Sequence, residues 1–258
     1  MKLLLKIVCL IVFSIVLLLV SGLEAAIAVT PAERFNEAGA LYRDGQFSRA
    51  LDIYEELIRS GIANPDLNYN ASNAAFRAGF VGKAILHLER TLKLAPSDKD
   101  ALSNLVYLNS IKKDQEPRNP NVVLAFLNRR YNAVNVNTAA LWSGYLFVFS
   151  MVFATGALFM RKWKRMTLIV VSFLCGLGFA VSTGILIQKV HYASTVVEGI
   201  IMTEEASAYS GPSVENTHIF TIHEGTKITI QRTRDSWNLI KLKSGAGGWI
   251  KDELMEKI

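Results

Sequence analysis

Four textures of hydrophobic and polar positions follow one another along the chain. Residues Ile7 to Leu23 form an apolar run without a charge behind Lys2 and Lys6. From about residue 31 to 114, apolar positions recur every three or four residues, interrupted by Gly-containing turns, which predicts a series of amphipathic helices. Leu141 to Met160 and Met166 to Ile187 then give 20 and 22 residues without a charge. At 1.5 Å per residue each spans about 30 Å, the thickness of a bilayer's hydrocarbon core. After Glu198 the pattern shortens to β-rich runs, Ile200-Ile201-Met202, Ile219 to Ile222, Lys227 to Gln231 and Trp237 to Leu242, separated by Gly211-Pro212, Glu224-Gly225 and Ser244-Gly245 turns. The expected architecture is a multi-domain membrane protein: helical hairpins, a two-span transmembrane hairpin and a small all-β barrel.

Composition sharpens this reading. Charged residues are 19% of the 258, against about 25% in a soluble domain, and mean hydropathy is +0.27, so part of the chain belongs in lipid. The net charge of +6 does not mark a nucleic-acid surface. Residues 29–128 carry 12 basic and 12 acidic side chains, and residues 196–258 carry 7 and 9. The surplus flanks the apolar segments, most densely as Arg161-Lys162-Trp163-Lys164-Arg165, the signature of a cytoplasmic turn. Nucleic acid is not an expected partner.

The boundaries follow. Residues 1–28 read as a signal peptide, with Ala26-x-Ala28 as cleavage site, or as an uncleaved signal anchor. Residues 31–114 form the helical region and 115–140 a linker and amphipathic helix. That helix sets Val122, Val123, Phe126 and Leu127 against Asn128, Arg129 and Arg130, to lie in the membrane interface or to bind a partner. Spans at 141–160 and 166–187 enclose the cytoplasmic turn 161–165, and a β domain occupies 196–258. Both charge signals, Lys2 and Lys6 before the first apolar run and the basic turn at 161–165, place residues 29–140 and 190–258 outside the cytoplasmic membrane. In the second span Ser172, Gly176, Ala180 and Gly184 recur every fourth residue, a row of small side chains for close helix packing, with the hairpin partner or with a foreign helix.

The helical region repeats itself. Phe35 to Ala50 superposes on Tyr69 to Ala84 at a spacing of 34, matching Gly45 to Gly79 and Ala50 to Ala84, and the second unit closes Leu92-Lys93-Leu94-Ala95-Pro96. This resembles the tetratricopeptide repeat, with Glu37 and Ile62 departing from its pattern. A third helix, Lys99 to Lys113, carries Asn104-Leu105 in register and is expected to cap the stack. The resemblance implies a concave face formed by the first helix of each unit, presenting Phe35, Tyr42, Arg43, Tyr69, Asn73, Phe76, Arg77 and Tyr107 as a candidate groove for a protein partner. In this reading the residues either anchor a partner or fill the space between repeats. Phe35 and Gly39 replace the first Lys and Asn of the clamp found in chaperone-binding repeats, so a chaperone tail is not the expected ligand.

The β region, with Ser210-Gly211-Pro212-Ser213, His223-Glu224-Gly225-Thr226-Lys227-Ile228 and Gly247-Gly248-Trp249-Ile250, resembles the bacterial SH3 domain. Tyr209 stands where that family often has Arg. Trp237 and Trp249 serve either as barrel core or as a ligand platform.

Catalytic chemistry is not indicated. His87, His191, His218 and His223 have no metal-ligand spacing, and Cys9 and Cys175 both lie in apolar segments. Neither a Gly-x-Ser-x-Gly elbow nor a Gly-Lys-Ser/Thr phosphate loop occurs. The expectation is a protein that is not an enzyme and needs no cofactor.

Taken in order, these modules resemble the BatE family of membrane proteins of the bacterial aerotolerance operon. The resemblance implies an envelope complex linked to oxidative-stress tolerance, with von Willebrand A-domain membrane proteins as companions and, less directly, a cytoplasmic MoxR-type ATPase. A tether that binds peptidoglycan and recruits cell-wall or secretion factors is the alternative. A sensor is disfavoured by the five-residue cytoplasmic turn.

Overall fold

The structure, a computed structural model, describes residues 30–115 and 122–258; the expected signal segment and the linker residues 116–121 lie outside them. The chain divides into two compact units between Ile62 and Ala63, that is, between the two sequence repeats.

The first unit is a helical hairpin of α1 (Pro31–Arg43) and α2 (Phe47–Arg59). Thr30 opens α1 with a capping box: its hydroxyl accepts from the Glu33 N–H, and the Glu33 carboxylate accepts from the Thr30 N–H. The amphipathic α2 buries Ala50, Leu51, Ile53, Tyr54 and Leu57.

The second unit begins with α3 (Pro65–Arg77), α4 (Val81–Leu94) and α5 (Lys99–Ile111). The 34-residue period is written in the caps. Thr30, Asn64 and Asp98 each accept from a backbone N–H in the first turn of a 13-residue helix. The intervening turns repeat as well. Gly45 and Gly79 adopt φ of 77° and 91°; their N–H groups reach Tyr42 and Phe76 oxygens, while Gln46 and Phe80 N–H groups reach Leu41 and Ala75 oxygens. This left-handed turn uses up the helix's last carbonyls, and only Gly takes it without strain. Ala50 and Ala84 are both fully buried where paired helices cross. α5 therefore opens a third repeat.

Helix α6 (Val122–Ala133) leads to α7 (Val136–Phe159) and α8 (Trp163–Thr195). α7 and α8 are long and apolar enough to cross a membrane, α7 starting before and α8 running past the uncharged windows read from sequence. Most of their apolar side chains face outward, Phe159 at 81% and Phe173 at 69% exposure. Ser150 and Ser172 exchange hydroxyl-to-carbonyl hydrogen bonds at 3.1 and 2.8 Å, and the Ser143 and Ser182 hydroxyls lie 2.8 Å apart. These contacts satisfy polar groups between the helices.

The chain ends in an antiparallel sheet of β1 (Val197–Ile201), β2 (Glu205–Tyr209), β3 (His218–His223), β4 (Lys227–Arg234), β5 (Trp237–Leu242), β6 (Gly247–Lys251) and β7 (Met255–Lys257). The strand order is β3-β2-β6-β5-β4-β1-β7. The expected barrel does not close: β3 and β7 are the two edge strands, each paired on one side only and not with each other, and the three-residue β7 offers too short a ladder to complete a cylinder. Ile201, Ala206, Ala208, Ile222, Ile228, Ile240, Ile250 and Met255 form one buried cluster. Trp237 is buried and meets Tyr209 edge-to-face at 5.8 Å, whereas Trp249 is half-buried opposite Tyr209.

Candidate functional site

The eight residues proposed to form a groove divide between the two units. In the first, Phe35 packs edge-to-face on Tyr54 at 5.7 Å and Tyr42 on Phe47 at 5.2 Å, so both rings hold the hairpin together; Arg43 is exposed.

In the second unit α3 and α5 lie side by side and gather the other five. Asn104 Nδ2 donates to the Tyr69 hydroxyl at 3.3 Å and to Asn73 Oδ1 at 3.5 Å, bridging the helices. Phe76 and Tyr107 form a perpendicular ring pair with centroids 6.0 Å apart. Yet Tyr107 remains 54% exposed, its helix neighbour Ile111 is 49% exposed, and Arg77 is exposed beside Phe76. Asn104, three residues from Tyr107, belongs to this face and was not among the expected groove residues. The face thus has a polar, self-satisfied half at Tyr69, Asn73 and Asn104, and an aromatic and cationic half at Phe76, Arg77 and Tyr107. Such a mixture suits an amphipathic peptide segment, with aromatic and Arg anchors.

The opposite side of this helical layer is occupied. α4 carries the sheet on the face formed by Gly82, Ile85, Glu89, Arg90 and Lys93. Glu224 Oε1 accepts from the Gly82 N–H at 2.7 Å, supplying the cap that Phe80 cannot and placing negative charge at the helix's positive end. Ile85 is buried against Gly225. Arg90 pairs with Glu256 at 3.0 Å, and Lys93 donates to the Ile258 carbonyl at 3.1 Å.

Two charged centres complete the junction. Lys227 Nζ sits 2.9 Å from Glu89 and 3.0 Å from Glu198. Burial alone would lower its pKa, but the two carboxylates outweigh that and hold it above the ordinary amine value. Asp114 accepts from the His223 N–H, the His223 ring and the Thr226 hydroxyl. Burial raises its pKa, and these hydrogen bonds more than reverse the effect, leaving the carboxyl below its ordinary value. By the 34-residue period Asp114 stands where Gln46 and Phe80 begin the second helix of a repeat; here the sheet is gripped instead. These residues were not readable as a site, because isolated charges along a helix read as a solvated face.

Of the small-residue row, Ser172 bonds Ser150, and a side chain on Gly176 would lie 3.4 Å from the Ser150 hydroxyl. Ala180 is exposed, and nothing lies within 4 Å of a side chain placed on Gly184. A four-residue step advances 400°, so such a row drifts about 40° per step around the helix. By Gly184 it has rotated away, and the contact passes to Phe179, 5.3 Å from Phe147, and to Ser182.

No family model matches the chain, and no curated protein matches it.

Proposed function

We propose that this chain is a non-enzymatic, membrane-anchored adaptor that binds protein partners on the periplasmic side of a bacterial cytoplasmic membrane. The observation that carries the reading is the uncovered aromatic–Arg face of α3 and α5. The sheet is held on α4 and the hairpin of α7 and α8 is long enough to anchor the unit, so this helical face is left to bind. In this reading the sheet is a bacterial SH3-like module, recognised by its turn motifs. The order of modules supports a BatE-like role in an oxidative-stress envelope complex, with von Willebrand A-domain membrane proteins as the companions.

The test is crosslinking and affinity purification from the native host's membranes, followed by mass spectrometry, with wild type, Tyr107→Ala and Arg77→Glu. Recovery of A-domain membrane proteins that falls in both variants at unchanged protein level supports the adaptor. Recovery of wall-associated proteins alone, indifferent to both substitutions, favours the peptidoglycan tether. Protease digestion of the sheet only after the cytoplasmic side is opened would overturn the orientation.

A further inference from the structure

Within the second unit a cavity of about 720 Å³ lies where the end of α8 meets the α6–α7 joint, the α4–α5 joint and the start of the sheet. That is within the range of small-molecule sites. Its lining includes Asn135 and Val136, where α7 begins, and Gln188, Lys189 and Tyr192, near the end of α8. These mark one end of the apolar hairpin, opposite the Arg161 to Arg165 turn. If the hairpin spans a bilayer, the cavity opens at headgroup depth.

The charges in it are unevenly matched. Glu89 and Glu198 line the cavity but are both spent on Lys227, and Lys93 donates to the Ile258 carbonyl. Lys189 is paired with no carboxylate among the described residues; its ammonium lies 4.0 Å from the centre of the Tyr131 ring. An aromatic face steadies a cation without neutralising it, so Lys189 keeps its capacity to bind an anion. Asn128, Asn132 and Gln188 border the same space and carry amide donors. Apolar Leu92, Val134 and Val196 complete the wall. Lys189, a cation with no carboxylate partner among the described residues, flanked by neutral amide donors and apolar surface and with the Lys93 ammonium on the same lining, matches a phosphate ester with a hydrocarbon tail.

We infer that this cavity binds a phosphate ester anion at the membrane surface, with Lys189 as its principal contact and a phospholipid headgroup as its source. The inference rests on the membrane reading of α7 and α8.

The test uses the full-length protein in a neutral maltoside detergent and native mass spectrometry. Phosphatidylglycerol is compared with diacylglycerol of the same acyl chains, in wild type, Lys189→Gln, Lys189→Arg and, at the far end of the hairpin, Lys164→Gln. Phosphatidylglycerol is expected to be retained as one molecule and diacylglycerol not. Retention should fall roughly tenfold in Lys189→Gln, the loss of one charge-assisted contact, recover in Lys189→Arg and persist in Lys164→Gln. Circular dichroism melting confirms that each variant is folded. Displacement by millimolar inorganic phosphate would keep the site and assign a soluble source; resistance to it assigns the lipid. Equal retention of both lipids, or a loss in Lys164→Gln with none in Lys189→Gln, overturns the inference. Alkaline extraction of native membranes separates the two failures, because release of the protein would remove the membrane reading itself.

Discussion

Asp114 and His223 are joined twice across the junction of helix and sheet: one Asp114 oxygen accepts from the His223 N–H at 2.7 Å, the other from the ring Nδ1 at 2.8 Å. An ionised carboxylate only accepts, so Nδ1 carries the proton in this contact. The Thr226 hydroxyl adds a third bond at 2.9 Å. Asp114→Ala leaves three donors unanswered. It is expected to cost about 1–3 kcal/mol and to raise amide exchange at His223 and Thr226 while leaving the first hairpin unchanged. Exchange mass spectrometry reads both at once.

The same carboxylate sets a pH dependence. Its pKa is lower folded than unfolded, so its contribution is fully present above the unfolded value of about 3.9 and is lost as pH falls through the folded one. Protection of the β3–β4 turn is therefore expected to hold from neutral pH to about 4 and to fall below that. Asp114→Asn should flatten this acid limb. An unchanged limb in the variant would assign it to other carboxylates.

The helical repeats were legible because their signals are local. Gly45 and Gly79, and Ala50 and Ala84, each report a local need within a few residues; the caps at Thr30, Asn64 and Asp98 that repeat with the same period emerged from the structure. The uncharged spans were legible for the same reason. β2 was harder: Glu205-Ala206-Ser207-Ala208-Tyr209 alternates with period two, but its inward residues are alanines and carry little hydrophobic signal. β7 is three residues long and exists through its pairing with β1. The docking of the sheet on α4 depends on partners more than 100 residues apart, such as Gly82 and Glu224, and no short window of sequence contains both. The failure to close a barrel depends on which strands end at the edges, β3 and β7, and that is set by pairing between strands rather than by any one strand's own pattern. On the candidate face, the aromatic and Arg positions followed from repeat register, whereas Asn104 entered through its bridge to Tyr69 and Asn73.

Lys227 is the second test of the junction. Lys227→Met would leave Glu89 and Glu198 facing each other without a cation. Removing one partner of a fully buried ion pair costs about 3–5 kcal/mol; Lys227 retains 29% exposure, so about 2–3 kcal/mol is expected. Glu89→Gln in the same chain should recover part of that loss. Thermal unfolding of the single and double variants measures the coupling, and strict additivity would show that the charges do not act together.

Gly225 combines strain with contact. Its φ is +79°, and a side chain there would meet Ile85 Cδ1 at 2.7 Å. Gly245 has φ of +96° with nothing within 4 Å. Gly245→Ala should cost only the left-handed penalty, about 1–2 kcal/mol. Gly225→Ala should cost more by about 1–3 kcal/mol, the overpacking at Ile85. Ile85→Val, which removes the offending methyl, is expected to narrow the difference in melting temperature between the two alanine variants.

The hairpin offers a comparison between two glycines that sequence alone places in one row. A side chain on Gly176 points at the Ser150 hydroxyl 3.4 Å away, in the stretch where Ser150 and Ser172 exchange hydrogen bonds; one on Gly184 meets nothing. Gly176→Leu must therefore push α7 and α8 apart and break the serine bonds. The expected cost is about 1–3 kcal/mol from overpacking, together with the unpaired hydroxyls. Gly184→Leu adds an apolar side chain to open space and should leave the hairpin as stable as wild type. Unfolding of the full-length protein in mixed detergent micelles, followed by circular dichroism, distinguishes them. If Gly184→Leu is the damaging substitution, the four-residue row packs against a foreign helix, and the contact of α8 with α7 is the weaker of its two interfaces.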